Sequence, residues 1–150
     1  MVNGRNAITR GGEISIHYDV NRRGRLVASY SGAFLTLGLP PGFSTDTLLD
    51  VAPYYPRHMA QVRSSWDLGR RWMLDAEAYR TGALHEAGRA VLAGFTRVDF
   101  RIERKLGERS GIYLNGQNLL HASQQEFFGN NLYVPGRISR SIAVGFRWER

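Results

Sequence analysis

The charged residues of this 150-residue chain fall at a spacing of two: Asp75 with Glu77, then Arg97, Asp99, Arg101 and Glu103, with Arg63 upstream. Neighbouring carboxylates are what general acid-base chemistry requires, one kept protonated and the other ionised. The spacing here has a plainer source, because any strand with one polar face repeats a polar residue at every second position. His17, His58, His85 and His121 are scattered, with none at the close spacing of a zinc-binding pair. Cysteine is absent, which removes disulfides, thiolate metal sites and a cysteine nucleophile. No Gly-x-Ser-x-Gly elbow occurs. Gly107, Gly111 and Gly116 mark turns and close strand packing, and no helix follows them as a phosphate cradle would need. The residue types therefore point away from an enzyme and call for neither metal nor cofactor.

The elements that must position these side chains are strands. From Glu13 to Val20 every even position is apolar or aromatic and every odd one polar. Asn21 to Gly24 reads as a turn, and Arg25 to Phe34 sets Leu26, Ala28, Tyr30 and Phe34 against Val27, Ser29 and Ser31. The alternation returns over residues 58–68, 72–81, 96–106, 111–120 and 138–148. The expected fold is all-β: an antiparallel meander of about seven strands with no helix. Residues 1–11 alternate poorly and are expected to be a poorly structured lead-in, with residues 12–150 carrying the sheet.

Charge and hydropathy narrow the class. A net charge of +7, mostly arginine, suits anionic partners such as nucleic acid or lipid phosphate. No apolar run approaches a membrane helix. A membrane barrel hides its apolar face from such a test, because lipid-facing and lumen-facing residues alternate. Connections alternate between short turns, after Val20, Leu68 and Leu106, and long loops, after Phe34, Thr81 and Leu120. Outer-membrane barrels sort loop lengths this way, with short periplasmic turns and long outer loops. With the C-terminus in the periplasm, Tyr18, Trp66, Trp72 and Trp148 all fall on the apolar parity at the periplasmic interface, where aromatic residues gather. Strands of about ten residues tilted by roughly 40° span about 25 Å, the height of the apolar band. Charges of the apolar parity, Arg80, Arg104 and Arg140, fall near strand ends, where an arginine costs little. At the outer ends Arg80 and Arg140 meet either solvent or lipopolysaccharide phosphate.

Three stretches carry a family resemblance. They are Pro56-Arg57-His58-Met59-Ala60 opening a strand, Thr96 to Ile102 followed after the next turn by Gly116-Gln117-Asn118-Leu119-Leu120, and Arg140-Ser141-Ile142 leading to Phe146-Arg147-Trp148. In these the sequence resembles the C-terminal barrel of TonB-dependent receptors over roughly Gly12 to Trp148, which is the last third of that architecture. The resemblance implies a barrel of about 22 strands closed by a plug domain, placed in the bacterial outer membrane and importing a scarce nutrient such as a ferric siderophore. It implies as partners outer-membrane lipid and lipopolysaccharide, the rest of the barrel and its plug, a small nutrient or metal-chelate ligand, and the TonB complex through N-terminal parts of the family's architecture. The family usually ends on an aromatic residue, and Arg150 stands at that position here. The start has no signal-peptide order, so a fragment or truncated product of an intact receptor is expected.

On this reading Arg63, Asp75, Glu77, Arg97, Asp99, Arg101 and Glu103 face the lumen as a mutually neutralising wall. Tyr54, Tyr55, Arg57, Phe127, Phe128 and Asn130 lie on outer loops as candidate ligand contacts. Two other readings remain at this stage. A small self-contained outer-membrane barrel would need an eighth strand from the poorly alternating lead-in. A soluble basic β-domain binding nucleic acid would need aromatics and arginines on a shared face, whereas the alternation sends them to opposite faces.

Overall fold

A computed structural model describes residues 6–38, 56–86, 89–126 and 136–149. Period-two sequences satisfy both of their faces only when extended, and each long alternating segment forms a strand. The strands are β1 (Asn6–Asn21), β2 (Gly24–Gly38), β3 (His58–Gly69), β4 (Trp72–Thr81), β5 (Leu84–Glu86), β6 (Arg89–Leu92), β7 (Phe95–Lys105), β8 (Ser110–Gln117), β9 (Ser123–Gln125), β10 (Arg137–Ser139) and β11 (Ser141–Trp148). No helix occurs among the described residues. Seven strands make one sheet in the order β1-β2-β3-β4-β7-β8-β11, and every pairing in it is antiparallel. The meander expected from sequence is the fold observed.

Four departures have physical causes. The lead-in expected over residues 1–11 is strand from Asn6 onward, because β2 continues to Gly38 and offers its backbone ladder as far as Asn6; residues 1–5 lie outside the described set. β8 ends at Gln117 rather than Leu120, since Asn118 takes a positive φ of 50° and turns the chain. The last segment divides at Arg140: β10 leaves to pair with β9, and Arg140 donates its N–H to the Ala122 carbonyl at 3.0 Å. The long connections also hold two small hairpin sheets, β5 with β6 and β9 with β10.

Register shows which residues share a face. Gly24, Trp66, Leu74, Ile102, Leu114 and Val144 form one row across the sheet, and every member is even-numbered. His17, Val27, Arg63, Glu77 and Asp99 form a row of the opposite parity. Toward the β7–β8–β11 end, burial of the two faces is reversed relative to a water-soluble sheet, whereas Asp19, Arg25, Arg63 and Asp75 of the odd face are exposed. On the even face Val144 is 70% exposed and Trp148 69%, whereas on the odd face Glu103 is 4% exposed. Among the described residues the buried hydrophobics are Leu84, Leu92 and Phe95, all in or beside the β5–β6 hairpin. An apolar face left uncovered over so many strands is stable only when something apolar covers it.

Glycine shapes the sheet at three cross-strand pairs. Gly24 faces Trp66, Gly116 faces Phe100, and Gly145 faces Tyr113. In each pair a Cβ on the glycine would overlap the opposing ring, so the aromatic lies flat across its neighbour's backbone. The pairs join β2 to β3, β7 to β8 and β8 to β11.

Candidate functional site

The sheltered face of β3, β4, β7, β8 and β11 is the part of the molecule that concentrates charge. Alternation brings Arg63, Asp75, Glu77, Asp99, Arg101 and Asn115 to the lining of a cavity of about 470 Å³ on this face. The seven residues expected to face the lumen all project from it, being of odd parity on β3, β4 and β7. The structure brings six of them into ion pairs. Arg63 reaches Glu77 at 3.1 Å, and Gln61 donates to the other oxygen of Glu77 at 2.6 Å. Arg97 grips Asp99 with two bonds, of 2.9 and 2.7 Å. Arg101 donates to Glu103 at 2.7 Å. Asp75 stays exposed and joins no ion pair among the described residues.

Glu103 is the most sheltered of these carboxylates, and it has two cations. Besides Arg101, it meets Arg147 of β11 at 2.7 Å, across the intervening strand β8. Gly111 makes that reach possible: a Cβ at this position would stand 2.9 Å from a Glu103 oxygen. Arg147 continues to Glu149, so the wall runs as a chain of alternating charge from β7 to the end of β11. Arg101 also stacks on the Tyr113 ring at 3.8 Å. A buried charge with several partners stays ionised and is costly to disturb.

Toward the long-loop end a second network ties the wall to a loop. Tyr79 donates to Glu126 at 2.9 Å, and Arg97 approaches both the Tyr79 hydroxyl and Glu126, at 3.3 and 3.4 Å. Asn118, fully buried, donates its backbone N–H to Asp99 at 2.9 Å and its side-chain amide to the Ile138 carbonyl at 2.9 Å. The Leu119 N–H reaches the Val98 carbonyl at 3.0 Å. Residues 116–120, singled out in the sequence, thus act as a stop: they end β8, cap the β7 wall and hold β10 in place.

The membrane-interface candidates share one face and one end. Tyr18 and Trp148 lie near the short-turn ends of β1 and β11, Trp66 near that end of β3, and Trp72 opens β4. Arg104 places its guanidinium 5.5 Å from the Trp72 ring centre. Of the loop candidates, Arg57 is exposed beside the start of β3 and its carbonyl accepts from Ala33 N–H at 2.9 Å. Tyr54, Tyr55, Phe127, Phe128 and Asn130 lie outside the described residues.

Sequence reasoning missed the roles of four residues: Arg147, Tyr113, Asn118 and Glu126. The odd parity of Arg147 and Tyr113 on their strands was a usable signal for the first two. Glu126 had none, since it directly follows a strand of three residues, too short to show a period. One expectation needs correction: aromatics and arginines do not wholly segregate, because Tyr79 and Tyr113 sit on the charged face beneath Arg97 and Arg101. Arg101 covers the Tyr113 ring at 3.8 Å, while Tyr79 packs edge-on against Phe95 with Arg97 5.6 Å from its centre.

No protein-family model matches the sequence. No curated protein matches it either. Among solved structures, the chain is similar to the ferric-catecholate import receptor Fiu from Escherichia coli K12, in its closed form, with a TM-score of 0.74 and 16% identity. The likeness covers 95% of this chain and 21% of that one. The chain therefore spans about a fifth of the receptor's length, and what the two share is a fold.

Proposed function

We propose that this chain is a seven-stranded segment of an outer-membrane β-barrel of the TonB-dependent receptor type, contributing lumen wall and outer loops to the import of a scarce nutrient, most simply a ferric siderophore. The observation that carries the reading is the reversed burial: Ile142, Val144, Phe146 and Trp148 are each at least 60% exposed, while Glu103 on the opposite face is 4% exposed. Acyl chains solvate such an outside, and a water-filled lumen with its plug covers such an inside. The similar receptor imports ferric catecholates, which supports the cargo class.

On this reading the charged wall does no chemistry. It presents fixed, paired charge to the passage, while loop residues such as Tyr54, Tyr55, Arg57, Phe127, Phe128 and Asn130 supply ligand contacts above it. Energy from TonB and closure by a plug enter through other parts of the receptor. The chain's lipid partners are outer-membrane phospholipid and lipopolysaccharide.

Tryptophan quenching tests the membrane reading directly, because the chain's three tryptophans all belong to the proposed interface. The full chain is folded into phosphatidylcholine vesicles carrying bromine either high or low on the acyl chain. Strong quenching by the shallow label and weak quenching by the deep one is expected. A monomer that folds cooperatively in plain buffer, with fluorescence indifferent to both labels, overturns the proposal.

A further inference from the structure

Basic residues crowd all three tight hairpins of the large sheet: Arg22 and Arg23 in the first, Arg70 and Arg71 in the second, Lys105 and Arg109 at the third. All six are exposed, and none has a carboxylate within ion-pair distance among the described residues. The acids of this end are mostly engaged elsewhere. Asp19 holds Arg25, Asp67 accepts the Gly69 N–H, and Glu149 holds Arg147. Glu108 alone remains as an acid within the turns themselves.

The second hairpin shows that these cations are not there for the turn. Gly69, Arg70 and Arg71 have φ of 75°, 49° and 71°, the left-handed region that Asn-Gly occupies at least cost and that a long L side chain enters at a penalty. Two arginines in succession are a poor choice for making this bend. The hairpin is also locked to its neighbour, since Lys105 N–H donates to the Arg71 carbonyl at 2.9 Å and the Arg71 guanidinium donates to the Leu106 carbonyl at 3.1 Å. Just beyond, on the apolar face, Arg104 lies against Trp72. The result is a row of unpaired cations immediately past a band of tryptophans at the rim of an apolar surface.

We propose that this rim is a binding surface for the phosphate headgroups of anionic phospholipids, with Trp66, Trp72 and Trp148 seated in the boundary beneath them. The inference rests on the membrane reading above and adds a lipid preference to it. Arginine pairs with phosphate through two parallel N–H donors. An anionic leaflet attracts cations held within a Debye length of it. Arg104 can keep its charged head among the phosphates while its stem lies along the ring of Trp72.

The test is flotation of the full chain with vesicles of phosphatidylcholine alone, or of phosphatidylcholine containing about 30% phosphatidylglycerol, at low and high salt. Binding to the anionic vesicles is expected to exceed binding to the neutral ones by at least about tenfold at low salt, with the excess lost at high salt. The variant R22S/R23S/R70N/R71G replaces the strained turn with one that folds more readily, so its far-ultraviolet spectrum should match the parent. It should keep neutral-vesicle binding and lose most of the anionic excess. R80S/R140S, at the opposite end of the sheet, should retain that excess. Equal binding to both vesicle types overturns the lipid preference and leaves the membrane reading standing. A preference that survives in the turn variant, or that R80S/R140S removes equally well, also overturns it. Flotation with neither vesicle overturns the membrane reading itself.

Discussion

The β1–β2 hairpin and the β7–β8–β11 unit follow the same alternation, yet they treat charge in opposite ways. In the hairpin Asp19 and Arg25 pair at 2.7 Å with side chains 67% and 64% exposed. In the other unit Glu103 is 4% exposed and held by Arg101 and Arg147 from both sides. Composition does not separate the two regions; cover and reach do. Glu103 crosses β8 because position 111 is glycine, and Tyr113 flattens over Gly145 beside it. The comparison teaches that alternation assigns a charge to a face, while cross-strand glycines decide whether it is merely placed there or locked.

The sharpest way to break that contrast is to remove the anion of the locked pair. Glu103→Ala should cost about 2.5 kcal/mol, somewhat less than for a fully buried pair, because the two guanidinium groups that lose their shared partner are each about a third exposed. Urea unfolding in detergent micelles followed by tryptophan fluorescence would measure it. Next in size is Gly116→Val, whose branched side chain would collide with the Phe100 ring. About 2 kcal/mol is expected from such overpacking, with Ala33→Val of β2 as a smaller control. Asn118→Ala should cost about 1 kcal/mol through its lost bond to the Ile138 carbonyl. Asn118→Gly should recover the part that comes from the positive φ and no more. Smallest of all, Asp19→Asn should shift the urea midpoint only slightly at low salt and by nothing measurable at high salt, as exposed pairs do. An Asp19 effect as large as that of Glu103 would dissolve the comparison.

The long strands were legible in the residues because one face of each is apolar and the other polar, a pattern that only an extended chain satisfies. The three tight hairpins were legible from Asn21 to Gly24, Gly69 to Arg71 and Gly107 to Ser110. The small hairpins were not, since strands of three or four residues such as Leu84–Glu86 and Arg89–Leu92 are too short to show a period. The start of β1 was hidden by Gly11 and Gly12, which interrupt the alternation but not the backbone ladder, where they pair with Ala33 and Gly32. For the charged wall, parity told which residues project from it. It could not tell which of them meet, because Glu103 takes its second cation from β11, some forty residues farther along. Nor could it show that residues 116–120 stop a strand, which depends on Asn118 adopting a conformation more common for glycine.

A strictly antiparallel run of seven strands has a directional consequence. Its first and last members, β1 and β11, point the same way, and among the described residues their outer edges carry no neighbour. Bending the sheet until those edges met would force a parallel junction into an otherwise antiparallel cylinder. Only an odd number of intervening strands lets a ring of this kind close with uniform polarity. Two copies inserted with the same sense would meet in parallel at both junctions, so any segment that closed a ring with this one must also be odd in strand number and must begin in the opposite sense.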